Sequence, residues 1–207
     1  MKVSSTQGAE CWIIYGREKK DISGIILKAT FTTSLYYIEG GDMMQEVLYN
    51  RNKAAAYAHR WAYGRNSKYY DFATLGGDCT NFISQCVFAG CRVMNYKKMF
   101  GWYYRNLNER TPSWSGVEFF YNFLINNKGV GPYAIKTDVE NIKVGDIVQL
   151  KFSEDIFMHS LLVVSACSPA DIDNILITTH TFNTDNRPLK TYSWSDIRFI
   201  HILGARK

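Results

Sequence analysis

Apolar residues recur at helical spacing in two stretches of the first half of the chain. The first stretch follows Asn50, which can cap a helix, and Gly64 can end it. Its apolar positions are Ala54, Tyr57, Ala58, Trp61 and Ala62. The second stretch begins at Cys79, and Gly90 is its expected end. Its stripe consists of Cys79, Phe82, Ile83, Cys86 and Val87. Each pattern predicts a helix with one buried face.

A third helix is predicted from Ser113 or Ser115 to about Gly129, because Val117, Phe120, Tyr121 and Leu124 share one face. Beyond Val139 the pattern changes to short runs rich in strand-forming residues. Strands are predicted at residues 144–150, 157–164, 175–182 and 199–203, with turns at 168–171 and 185–188.

Helices that precede strands in this way predict an α+β fold with an antiparallel sheet. Residues 1–48 are rich in β-formers and are predicted to be a separate N-terminal appendage, whereas residues 49–207 form the main domain. A chain of 207 residues, 46% hydrophobic and 15% aromatic, is sufficient for one folded core.

Charge and apolar run length exclude several classes of function. The net charge of +5 is modest and no dense basic run occurs, so nucleic-acid binding is not indicated. No apolar run approaches the roughly 18 residues that an integral membrane segment needs, and no signal-peptide pattern follows Met1. Five cysteines without a Cys-x-x-Cys pair suggest neither a disulfide framework nor a zinc ribbon.

The start of the second helix is a candidate nucleophile site. Gly76 and Gly77 allow a sharp turn, and Asp78 is a suitable N-cap whose carboxylate can accept from first-turn amides. Cys79 then lies where these amides and the helix dipole stabilise an anion and lower a thiol pKa. The alternative is a structural cysteine on a buried stripe, the role expected for Cys86.

His159, at the start of the second predicted strand, is the candidate base for Cys79. A third residue would orient its ring, and both His180 and Asn183 are candidates. His180 is preferred because it lies within the predicted third strand and is held more rigidly than a turn residue. Tyr70 could line the cleft. Without a short-spaced ligand pair, no metal or other cofactor is expected.

Several motifs resemble the putative amidase domain family of bacteria. The most specific is the block Gly76-Gly77-Asp78-Cys79-Thr80-Asn81-Phe82-Ile83-Ser84-Gln85. Tyr49-Asn50-Arg51, His159-Ser160, His180-Thr181 and Arg187-Pro188-Leu189 are also similar to the family. Gly145-Asp146-Ile147-Val148 resembles the wider papain-like set that includes NlpC-type and CHAP hydrolases.

This resemblance implies a papain-like cysteine hydrolase with Cys79 and His159 in the catalytic roles, acting on amide or peptide bonds of bacterial cell-wall peptides. It also implies export to the cell wall, although no signal peptide is seen. Two alternatives stay open, a non-catalytic module that binds peptides or cell wall and an acyl transferase in which an amine replaces water.

Overall fold

A computed structural model describes residues 10–11, 35–36, 44–153 and 155–207. Most of the predicted N-terminal appendage therefore lies outside the described residues. Its described parts are strands β1 (Glu10–Cys11), β2 (Leu35–Tyr36) and β3 (Met44–Val47). Strand β3 pairs with β2 on one side and with the last strand of the main sheet on the other.

The helices lie between β3 and the main run of strands. They are α1 (Arg51–Trp61), α2 (Cys79–Cys91), α3 (Pro112–Ser115) and α4 (Val117–Asn126). Asn50 caps α1 as predicted, since its side chain accepts from the Lys53 amide. The predicted third helix is two helices, interrupted at Gly116, whose backbone is extended.

Gly90 does not end the second predicted helix, because α2 continues to Cys91. A Cβ at Gly90 would lie 2.3 Å from the Tyr49 ring, so the glycine permits a close approach between chain segments. Arg92, with a left-handed φ of 58°, provides the C-cap instead.

An antiparallel sheet follows the helices, as predicted. A small hairpin of β4 (Tyr104–Asn106) and β5 (Glu109–Arg110) lies apart from it. The remaining strands are β6 (Gly131–Thr137), β7 (Ile147–Lys151), β8 (His159–Ser165), β9 (Cys167–Ser168), β10 (Leu176–Thr179), β11 (Thr184–Pro188) and β12 (Asp196–Arg206). The main sheet has the order β11-β10-β8-β7-β12-β3-β2, with β6 also paired to β12, and β9 pairs with β1.

Two predictions for this half of the chain were wrong. The third predicted strand ends at Thr179 rather than 182, and the predicted turn at 185–188 is part of β11. The turn lies at 180–183, where Thr181 and Phe182 have left-handed φ values. Strand β6 was not predicted, since its Gly131 and Pro132 weaken a strand pattern.

Each face of the sheet carries a hydrophobic core, and β8 contributes to both. Leu162 and Val164 belong to the core that includes the buried side of α2. Leu161 and Val163 belong to the core on the opposite face. Successive side chains of a strand alternate between faces, so Ser160 lies on the α2 side and His159 on the opposite side.

A buried carboxylate links α1 to the sheet. Asp146, fully buried, lies 2.5 Å from Nη1 of Arg51 and 2.6 Å from Nδ1 of His201. It also accepts from the backbone amides of Ile202 and Lys143. These contacts give the Gly145-Asp146 motif a structural role, because they fix the helical layer on the strands that carry the candidate site.

Candidate active site

Cys79 is the first residue of α2, as predicted, and its side chain is buried against the start of β8. The sulfur lies 3.9 Å from the carbonyl oxygen of Met158 and 3.8 Å from the Thr80 hydroxyl. Burial raises the pKa of the Cys79 thiol, although hydrogen bonding to the Ser160 amide and to Thr80 opposes the rise. In this arrangement the thiol is therefore protonated at neutral pH.

Asp78 precedes the helix, but its carboxylate does not accept from a first-turn amide as predicted. One oxygen accepts from the Phe72 amide at 3.0 Å and the Asn81 side chain at 2.8 Å. The other lies 2.5 Å from Nδ1 of His180 and 3.3 Å from Nε of Arg65. The carboxylate is 1% exposed, so it fixes the turn before Cys79 through tertiary contacts rather than a local cap.

His159 is the first residue of β8, and the backbone next to it lies close to the Cys79 sulfur. Its ring, however, packs against two aromatic side chains. The ring centroid lies 6.3 Å from that of Phe152 and 6.1 Å from that of Tyr192. Burial, with the nearby Arg187 cation, lowers the pKa of His159 to about 4. No residue that the structure describes makes a hydrogen bond to this ring, so no hydrogen bond joins Cys79 and His159 in this arrangement, and their pairing stays a prediction.

His180 lies in the turn after β10 rather than within a strand, contrary to the prediction. Besides Asp78, its ring contacts the carbonyl oxygen of Trp61, 2.9 Å from Nε2. It also stacks on Phe82 with 3.7 Å between the ring centroids. Both ring nitrogens are thus occupied by groups other than His159, and His180 joins the end of α1 to the start of α2.

The two remaining candidates lie at the edge of this network. Asn183 accepts a 3.1 Å hydrogen bond from Nη2 of Arg65 at the surface. The Tyr70 ring is 37% exposed and contacts Phe72, with 5.1 Å between the centroids. The carbonyl of Tyr70 accepts from the Asn81 side chain, so its backbone rather than its hydroxyl supports the start of α2.

A buried polar chain beneath Cys79 was missed in the sequence. The Thr80 hydroxyl lies 3.0 Å from that of Ser160, which accepts from Nε2 of Gln149. Oε1 of Gln149 accepts from Arg198, which pairs with Glu118. One signal could have revealed it, since Gln149 is a polar residue inside an apolar strand and a buried amide needs partners.

The other cysteines have different roles. Cys86 and Cys91 are buried free thiols, and Cys167 is disulfide-bonded. Across the described ranges, no group of three or more His, Cys, Asp or Glu side chains is placed to hold a metal ion. In the same part of the chain, every helix is too short or too polar to cross a membrane.

Comparison with known proteins gives a family match over most of the chain. Residues 48–203 match the family described as "Putative amidase domain". Two Bacillus subtilis (strain 168) proteins are similar, the uncharacterized protein YhbB, 31% identical over 56% of this chain, and the uncharacterized protein YjcM, 23% identical over 68%. The matches cover 37% and 32% of those relatives, so the chain aligns with about a third of their length. No solved structure matches.

Proposed function

Because the chain belongs to the putative amidase domain family, we propose that it is a cysteine-dependent amide hydrolase with Cys79 as nucleophile. The observation that carries this proposal is the position of Cys79, the first residue of a buried helix and beside the start of β8. The amides of a helix N-terminus stabilise a thiolate and can donate to an oxyanion. The proposal includes a papain-like relationship of the fold to NlpC-type and CHAP hydrolases.

His159 is the proposed base. Its ring must leave Phe152 and Tyr192 and turn about its Cα–Cβ bond to reach the thiol. This movement breaks no hydrogen bond to a described residue, so packing alone opposes it. Once the ring approaches, an imidazolium and a thiolate stabilise each other, which reverses both pKa shifts of the resting arrangement.

The chemistry then follows from two groups. His159 accepts the thiol proton as the Cys79 sulfur bonds to the carbonyl carbon of the amide. The C–N bond breaks, the amine leaves with the proton from His159, and a thioester remains. Water, deprotonated by the same ring, attacks the thioester and releases a carboxylic acid and the free thiol. Asp78 and His180 hold the turn that presents the sulfur.

Peptides of the bacterial cell wall are the proposed substrates. This choice rests on the resemblance of residues 76–85 to the amidase domain family and of the domain to NlpC-type and CHAP hydrolases, since the names of the two relatives give no activity. The test is mass spectrometry of cell-wall fragments incubated with the protein.

The expected result is new amine and carboxyl termini with the parent protein and none with Cys79→Ala or His159→Ala. Cys91→Ser and His59→Asn are matched controls, because they change the same residue types away from the thiol, and both should retain activity. Hydrolysis that persists in Cys79→Ala would refute the cysteine mechanism.

One observation favours a second candidate, a non-catalytic peptide-binding module of the same fold. The thiol is protonated and the His159 ring faces the opposite side of β8. A protein that only binds its ligand can have this arrangement, because it needs no thiolate. Such a module would bind cell-wall fragments equally well as the parent and as Cys79→Ala, with no turnover by the parent.

A further inference from the structure

The guanidinium of Arg187, on β11, is fixed in place by hydrogen bonds from two of its three nitrogens. Its Nε donates to the Thr191 hydroxyl at 2.7 Å and its Nη2 to the Thr191 carbonyl at 3.2 Å. Its guanidinium lies 4.0 Å above the Tyr192 ring centroid. These contacts fix the plane of the guanidinium, and Nη1 is left without a hydrogen bond to any described residue. A fixed, planar donor is suited to binding a carboxylate.

The charge of Arg187 is uncompensated, since none of the described carboxylates lies within ion-pair distance of it. Arg60, Arg92 and Arg110 share this property and also stack on aromatic rings. Arg187 differs because the ring beneath it belongs to a tyrosine whose buried hydroxyl interacts with the Arg187 guanidinium but makes no hydrogen bond of normal geometry. A buried hydroxyl without a well-placed partner is costly, so a ligand that accepts from it would recover that cost.

Both groups lie on the face of the sheet to which the His159 ring is directed. Arg187 pairs with Ile177, which pairs with Val163, and residues that pair directly share a face. Val163 and His159 are four residues apart on β8, so their side chains lie on the same face of the strand. The Tyr192 ring contacts His159, with 6.1 Å between their centroids. A ligand held by Arg187 and Tyr192 would therefore lie next to the proposed base.

We propose that Arg187 and the Tyr192 hydroxyl form a subsite for a carboxylate group. Nη1 of Arg187 donates to one carboxylate oxygen and the Tyr192 hydroxyl donates to the other. With the proposed function as premise, the substrate class becomes an amide with a free carboxylate near the scissile bond, such as a peptide cleaved close to its C-terminus or to an acidic side chain.

The test uses the full chain with Cys79→Ala, so that binding is measured without turnover. N-acetylalanine and N-acetylalaninamide are titrated separately, because they have nearly the same size and differ in the carboxylate. Nuclear magnetic resonance follows the Arg187 Nε–H and Tyr192 amide signals. The expected result is saturable shifts with N-acetylalanine and at least tenfold weaker binding of the amide.

Variants then assign the site. Arg187→Gln should weaken binding of N-acetylalanine at least tenfold and Tyr192→Phe severalfold, whereas Arg60→Gln, the same charge change at another unpaired arginine, should have no effect. Equal binding of the two probes, or equal losses in Arg187→Gln and Arg60→Gln, would overturn the subsite. If Arg187→Gln fails to fold, Tyr192→Phe, which retains the ring under Arg187, decides alone.

The outcome is separable from that of the proposed function. Binding that discriminates the two probes supports the subsite even when the parent protein hydrolyses nothing. Cysteine-dependent hydrolysis with no preference for the carboxylate probe contradicts the subsite alone.

Discussion

Replacing Asp78 by asparagine tests whether this buried carboxylate holds the turn before Cys79. The asparagine oxygen can still accept from the Phe72 amide and the Asn81 side chain, as Oδ1 of Asp78 does. Its NH₂ group, however, would face Nδ1 of His180 and Nε of Arg65, which lie 2.5 Å and 3.3 Å from Oδ2 in the parent. The negative charge that both groups contact would then be lost from a site that is 1% exposed.

The expected loss of stability follows from this geometry. Removing one partner of a buried ion pair costs about 3–5 kcal/mol. The Arg65 side chain is 26% exposed and keeps Asp71 as a second partner, so the loss should fall near the lower end, about 3 kcal/mol. Urea unfolding measures it, provided the slope of free energy against urea stays that of the parent.

Asp71→Asn is the matched control, because Asp71 contacts the same nitrogen of Arg65 at 3.2 Å but its side chain is 48% exposed. An exposed pair contributes about 0–1 kcal/mol, so this variant should unfold almost as the parent does. Equal losses in the two variants, or a loss below about 1 kcal/mol in Asp78→Asn, would refute the argument that burial makes the Asp78 contacts strong.

Three further variants test the surroundings of the site. The pKa of His159 is about 4 in the folded protein and about 6.5 in an unfolded chain. Between these pH values the unfolded state binds more protons, so stability falls as pH drops from 6.5 towards 4. His159→Gln should flatten this pH dependence of the free energy of unfolding, measured with urea, and an unchanged dependence contradicts the pKa shift. Ser160→Ala removes a hydroxyl that two buried groups contact, so it should lower the free energy of unfolding by about 1–3 kcal/mol, and a neutral effect would mean that the polar chain contributes nothing. Gly90→Ala places a Cβ 2.3 Å from the Tyr49 ring and should lower the free energy of unfolding by about 1–3 kcal/mol. Gly64→Ala, whose nearest contact is at 3.8 Å, should lower the thermal midpoint less. A larger fall in Gly64→Ala would contradict the close packing at Gly90.

Local patterns sufficed for the starts of α1 and α2 and for the class of the sheet, but not for the break at Gly116 or the end of α2. Asn50 caps α1 and Cys79 begins α2, because a capping residue and a glycine turn act within a few residues of the chain. The predicted stripe of α2 is buried throughout. The antiparallel sheet also followed from short apolar strands separated by turns, since these signals lie in neighbouring residues.

The site itself depended on contacts between distant residues, which local patterns do not encode. His180 and Asp78 are 102 residues apart, yet their side chains meet at 2.5 Å, so His180 contacts the turn before Cys79, a partner that the sequence did not indicate. The third predicted strand also ends at Thr179, so His180 lies in the turn that follows it. Alternation along β8 likewise places His159 and Ser160 on opposite faces, and the packing of α2 decides that the Ser160 face is the one that meets the helix.

The sequence by itself determined that a thiol lies at the start of a buried helix, because the glycine turn and the apolar stripe that mark this start are patterns of nearby residues. Only the tertiary structure decided the partners of Asp78, the direction of the His159 ring and the neighbours of Arg187. Those outcomes depend on strand register and on which side chains share a face, and both are fixed by packing between segments far apart in the chain.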